Sequence, residues 1–154
     1  MNLARIDEQA LTFHLEENEY EFLAQTFDSY PVVPAAHHSL SKDSTDPRAA
    51  EFQLLLDEAI AGQRAENKKH LRQWIDKPGR FKEVPEGCEF TLERTDLEWF
   101  LQVLNDIRVG SWLLLGSPEE RLDHRKVSHK LLPAWVSMEL CGFLQSVILQ
   151  ALNP

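Results

Sequence analysis

Residues 133–152 read PAWVSMELCGFLQSVILQAL: fourteen apolar side chains, one glycine and a single charge, Glu139. Wound into a helix, Glu139, Gly142, Ser146 and Gln150 fall on one narrow stripe. Most of the remaining circumference is apolar, from Trp135 and Val136 through Leu140 and Phe143 to Ile148 and Leu149. A helix that is apolar nearly all round is predicted to be buried nearly all round. The expected class is therefore mostly α: a helical bundle around a central C-terminal helix, in one domain over residues 1–154. The segment just reaches membrane-spanning length, but its polar residues and the lack of basic flanks on its far side favour burial within protein.

Working outward, Ser117-Pro118-Glu119-Glu120 reads as a helix start leading a short polar helix into Pro133. Before it, Thr95 with Glu98 forms a capping box, and the helix it opens is expected to run to Leu115, where Gly116 stops it. A long helix is predicted from Pro47, capped by Asp46, with Phe52, Leu55, Leu56, Ala59 and Ile60 as its stripe. The same phase runs on through Gln63, Asn67, Leu71, Trp74 and Ile75, so the stripe turns polar in its middle, and Gly62 is a possible break. Residues 76–87 read as turns and Glu89–Leu92 as a brief extended piece.

Near the N-terminus, alternation over residues 3–6 and 10–15 predicts a short hairpin, the start of a small two- or three-stranded β element. Asn18 with Glu21 then opens a helix to about Tyr30, and residues 31–46 form a long connection. Phe13-His14-Leu15-Glu16 is echoed by Phe90-Thr91-Leu92-Glu93, in each case an apolar strand passing through a glutamate into a helix. The echo suggests that the two strands pair in one sheet at an end of the bundle.

The net charge is −9, which argues against general nucleic-acid binding, and the acids are concentrated early. Residues 1–30 carry seven of them (Asp7, Glu8, Glu16, Glu17, Glu19, Glu21 and Asp28) against Arg5 alone. A solvated acidic surface accounts for this. Cys88 and Cys141 make no disulfide framework, and Cys141, on the apolar helix, is expected to be a small buried hydrophobe. With no secretory signal pattern at the N-terminus, a cytoplasmic setting is expected.

Chemistry concentrates in Leu104-Asn105-Asp106-Ile107-Arg108. Arg108 projects from an apolar stripe of Leu97, Phe100, Leu101, Leu104, Ile107, Ser111 and Leu115, and a buried charge there would need a carboxylate or several carbonyls. Glu139, the lone charge on the last helix, is the natural partner, and a shielded Arg108–Glu139 ion pair is predicted. The alternative is an anion-binding pocket formed by Arg108, Asn105 and the polar midsection of the long helix, in a small ligand binder or enzyme. Gly110 and Gly142 fit close helix contact. His37-His38 with Asp43 and Asp46, and His124 with His129, do not have the spacing of a metal site, and no cofactor motif or catalytic constellation is recognisable. The basic strip Arg121, Arg125, Lys126 and Lys130, and the Lys68-Lys69-His70-Arg72 cluster, read as solvated faces.

These motifs carry a family resemblance over most of the chain. Leu3–Leu23, Glu51-Phe52 through Gln63, Trp99–Val109 and Gly142-Phe143-Leu144-Gln145 resemble an uncharacterised bacterial domain family, best known in actinobacteria, whose members often lie beside the gene for the Clp-protease adaptor. The chain departs from that pattern in a longer stretch between Leu115 and Pro133. The resemblance implies no catalytic residues and hints at adaptor work or proteolysis by association. On the residues themselves, Trp99, Val103 and Leu114 widen the apolar arc of their helix beyond one neighbour. The expected function is a non-enzymatic interaction or regulatory protein, a homodimer with an unidentified protein partner, without nucleic acid, membrane, metal or cofactor.

Overall fold

The computed structural model describes residues 1–32 and 47–153. The chain runs β1 (Asn2–Ile6), β2 (Ala10–Leu15), α1 (Glu17–Asp28), α2 (Pro47–Asp76), β3 (Phe81–Val84), β4 (Gly87–Glu93), α3 (Leu97–Leu114) and α4 (Leu132–Leu152). The fold is mostly α, with a small antiparallel sheet of order β1-β2-β4-β3. The two echoed strands lie side by side at its centre, with Leu11 opposite Leu92 and Phe13 opposite Phe90. The Phe13 and Phe90 rings stack with centroids 4.9 Å apart. This pairing, inferred from the sequence echo, is present as drawn.

The fourth strand, β3, lies inside the stretch expected to be turns. Val84 and Gly87 close a tight hairpin around Pro85-Glu86. Gly87 takes φ +142°, and a Cβ there would sit 2.0 Å from the Leu15 carbonyl oxygen, so no larger residue fits. The turn residues at both ends of Phe-Lys-Glu-Val hide its alternation.

Several expected boundaries move. α1 is capped by Glu16, whose backbone N–H donates to the Glu19 carboxylate at 2.8 Å, and Asn18 lies inside the first turn. The reason is continuity: β2 ends at Leu15, leaving no spacer before the helix. A 3₁₀ turn over Arg94–Asp96 likewise absorbs Thr95, so α3 is capped at Asp96 and the Thr95–Glu98 box does not form. Gly62 does not break α2, whose second half is held by tertiary packing. The predicted cap Asp46 and the loop 33–46 lie outside the described residues.

No helix forms from Ser117. Gly116 and Ser117 both take positive φ and reverse the chain, and two single 3₁₀ turns, His124–Lys126 and His129–Leu131, lead to α4. The segment offers too few apolar residues to bury a helix face. Indole N–H groups fix it instead, Trp112 donating to the Pro118 carbonyl at 2.9 Å and Trp135 to the Leu122 carbonyl at 3.0 Å.

α4 has the expected span but buries one stripe rather than its whole circumference. Ser137, Cys141, Leu144 and Ile148 are buried, spaced four, three and four apart, while Phe143 is 44% and Leu149 50% exposed. This corrects the picture of a rod wrapped on every side: α4 flanks the core and packs chiefly on α3. By length and composition, His129–Leu152 is apolar enough to cross a membrane. Its buried stripe joins the same core as the sheet. Cys141 is fully buried, and that burial pushes its thiol up to about 12.

The core is aromatic where sheet and helices meet. Trp74 of α2 lies 5.2 Å from Phe100, 6.0 Å from Phe90, 6.1 Å from Phe81 and 6.3 Å from Phe27, ring centre to ring centre. Arg80, almost completely buried, covers it with its guanidinium carbon 4.5 Å from the ring centre. Arg80 also donates from Nε to the Trp74 carbonyl at 3.1 Å, and from Nη1 to the Thr91 carbonyl and the Glu93 carboxylate. Burial pushes the Glu93 carboxyl up, but the Arg80 hydrogen bond and charge win and hold it down at about 2. Arg80→Met should therefore cost about 2–4 kcal/mol in urea unfolding, since it strands two carbonyls and a carboxylate. A carboxyl held below its ordinary 4.5 stabilises the fold fully above that pH and loses the contribution as pH falls toward 2. The stability gap between the native chain and Glu93→Gln should thus be widest near neutrality and close on acidification.

Candidate functional site

The residues singled out from sequence separate in space. Arg108 and Asn105 are both exposed on the outer side of α3. The predicted ion pair is not formed: Arg108 Nη1 donates to the Gln145 side-chain oxygen at 3.1 Å, and Glu139 accepts from Arg121 at 2.6 Å. The correction has a helical cause. Residues 139, 142 and 145 lie on one side of α4, and the arginine stem crosses α4 at Gly142, where a Cβ would lie 3.8 Å from its Cδ. The guanidinium then reaches the residue C-terminal to that crossing, not Glu139 N-terminal to it. Being exposed, it needs no carboxylate.

Asp106, the neighbour of Arg108, turns inward instead. Its carboxylate accepts from the Tyr30 hydroxyl at 3.1 Å, beside the buried Asn67 and Arg64 of α2. Burial is the main cause pushing the Tyr30 phenol up to about 12; the Asn67 side chain draws it down and the Asp106 charge adds to the rise. The polar midsection of α2 is thus an internal tie between α1, α2 and α3, not the wall of an Arg108 pocket. Trp99 and Val103, expected to face a partner, are occupied within the chain: Val103 is fully buried and Trp99 stacks on His70 at 3.9 Å. Leu114 remains 45% exposed.

Leu114 lines a groove between α1, the end of α3 and the start of α4, with a volume of about 370 Å³. Phe22, Val32, Leu132 and Val136 supply apolar walls. Four hydroxyls lie among them, and that of Ser29 donates to the Thr26 carbonyl at 2.6 Å. Thr26 Oγ1 and Ser137 Oγ are 3.1 Å apart and tie α1 to α4, whereas the fully buried Ser111 Oγ has no hydrogen-bond partner. His129 and Lys130 also line the groove and are exposed. From sequence, nothing marked this site: its residues come from three distant segments, and serines inside apolar stripes read as core.

A second feature is the first half of α2. Every buried residue of that helix lies in its second half, at Arg64, Asn67, Leu71 and Trp74. Before them, Phe52, Leu54 and Leu55 are 58%, 59% and 53% exposed. At 1.5 Å per residue, residues 47–62 form an arm roughly 24 Å long.

The basic residues behave as a solvated face with local pairing. Arg125 pairs with Asp123 at 2.7 Å and Arg72 with Asp28 at 3.4 Å. His37, His38 and Asp43 lie outside the described residues.

No protein-family model matches the chain, and neither a curated protein nor a solved structure does.

The groove depends on Val32 lying against Gly110, where a Cβ would meet the Val32 Cβ at 2.9 Å. Gly110→Ala should therefore destabilise the fold by about 1–2 kcal/mol, although alanine in a helix interior is normally worth about 1 kcal/mol over glycine. Val32→Gly should cost less in that background than in the native chain, and a double-mutant cycle by urea unfolding measures the difference.

Proposed function

We propose that this protein is a non-enzymatic interaction protein that pairs with a second copy of itself through the first half of α2. The observation that carries this reading is the exposure of Phe52, Leu54 and Leu55 on a helical arm whose buried residues all lie beyond Ala61. A helix of this length is marginal in water by itself, so an apolar arm gains most from a neighbour. A two-fold axis supplies one: the same face meets its twin, and each arm covers the other. Exposed apolar residues elsewhere, Trp112, Phe143 and Leu149, offer further surface to a different protein partner.

The acidic balance of −9 and the pairing of Arg125 and Arg72 with local carboxylates support a role that does not involve nucleic acid. A cytoplasmic setting fits the same reading. So does the resemblance to the bacterial family encoded beside the Clp-protease adaptor, which suggests service to other proteins rather than catalysis.

Sedimentation of the native chain across micromolar concentrations should show a reversible monomer–dimer equilibrium. Phe52→Glu with Leu55→Glu should weaken it by about a hundredfold or more, with the far-ultraviolet circular dichroism of the second half and the sheet retained. A monomer at every concentration, or a dimer indifferent to both changes, would contradict the proposal.

A further inference from the structure

The groove between α1, α3 and α4 is distinct from the α2 arm, and its chemistry points to a different occupant. We infer that it binds a small anionic amphiphile: a medium-chain aliphatic body with a carboxylate at one end.

Three observations converge. Its volume of about 370 Å³ lies in the range of small-ligand sites. Its walls are apolar side chains from three separate elements, Phe22 on α1, Leu114 on α3 and Val136 on α4 among them, so the cavity is assembled by the tertiary fold and not by one helix face. Within these walls the Ser111 hydroxyl is fully buried and without a partner. An unsatisfied buried hydroxyl costs about 1–3 kcal/mol, so the chain's own packing leaves this wall of the groove imperfectly matched.

The charge of the ligand follows from the rim. His129 and Lys130 line the groove as exposed side chains, and among the described residues neither side chain makes an ion pair or hydrogen bond. Arg121 and Arg125, in the same connection, are already matched with Glu139 and Asp123. Lys130 is thus a cation beside an apolar slot, and an anion with an apolar tail fits both. A neutral alkane derivative would leave the rim unused, and a cationic amphiphile would meet Lys130 with like charge.

The test uses the full chain and dodecanoate below its micelle-forming concentration, followed by isothermal titration calorimetry. Saturable one-to-one binding is expected, with dodecanol and dodecyltrimethylammonium each weaker by about tenfold or more. Lys130→Glu should weaken dodecanoate by about tenfold while leaving dodecanol unchanged. Val136→Trp, which fills the slot from α4, should abolish binding of all three. Leu114→Trp fills it from the opposite wall, so the test stands if either variant fails to fold by circular dichroism. Absence of saturable binding, or binding that survives both fillings, would overturn the inference. Equal affinity for the carboxylate and the alcohol would overturn its anionic part.

Discussion

The fold depends on one side chain that joins the sheet to three of its helices. Trp74 is the only aromatic residue of α2 within the core, and its ring meets α1 through Phe27, α3 through Phe100, and the sheet through Phe81 and Phe90. A long helix that reaches the core at one end must concentrate its binding energy there, and a large aromatic surface does so most effectively. Arg80 closes the arrangement from the sheet side, held flat on the indole by two carbonyls and Glu93. Burying a guanidinium is tolerable only because its donors are spoken for. Once that corner is set, α3 and α4 can pack together along Ile107, Cys141, Leu144 and Ile148, with the sheet capping one end.

From this follows what the molecule leaves uncovered. Of α2 and α4, the core draws its buried residues from the second half of the one and a single stripe of the other, and several apolar residues outside those zones stay exposed among the described residues. Phe52, Leu54 and Leu55 on one element, and Phe143 and Leu149 on another, face outward for the same geometric reason. The richly apolar composition of α4 signals more than a core requirement. One stripe is buried, Leu140, Val147 and Leu152 pack partly on the core, and Phe143 and Leu149 face outward.

Much of the architecture was legible in the sequence, because long periodic segments bounded by Pro and Gly leave few choices. The bounds of α2 and α4, the first hairpin and the pairing of the two echoed strands all follow from such signals. β3 was hidden because it lies between two turn clusters, where four residues show little alternation. The caps at Asn18 and Thr95 misled because capping boxes recur by chance near a true helix start, and strand continuity decides which one is used. Composition alone could not tell full burial of α4 from burial of a stripe, since an exposed apolar residue obeys no rule against it.

The candidate site was less legible. Arg108 and Glu139 were prominent because charges on apolar stripes stand out, yet Arg108 ended at the surface on Gln145, Glu139 half-buried on Arg121, and Asn105 exposed. Asp106 and Asn67, the polar residues that do meet inside, carry no spacing signal because they sit on different helices. Arg80 was missed because a charge beside a Pro-Gly turn reads as solvent-facing. The groove is wholly a product of tertiary placement. The claim on which the account rests is that α2 is anchored by Trp74 at one end and free of its own core at the other. Amide hydrogen exchange on a dilute sample, below the concentration at which copies associate, tests this directly. Amides of residues 64–76 should be protected at a level approaching global unfolding while those of 50–61 exchange orders of magnitude faster, and uniform protection along the helix would contradict the account.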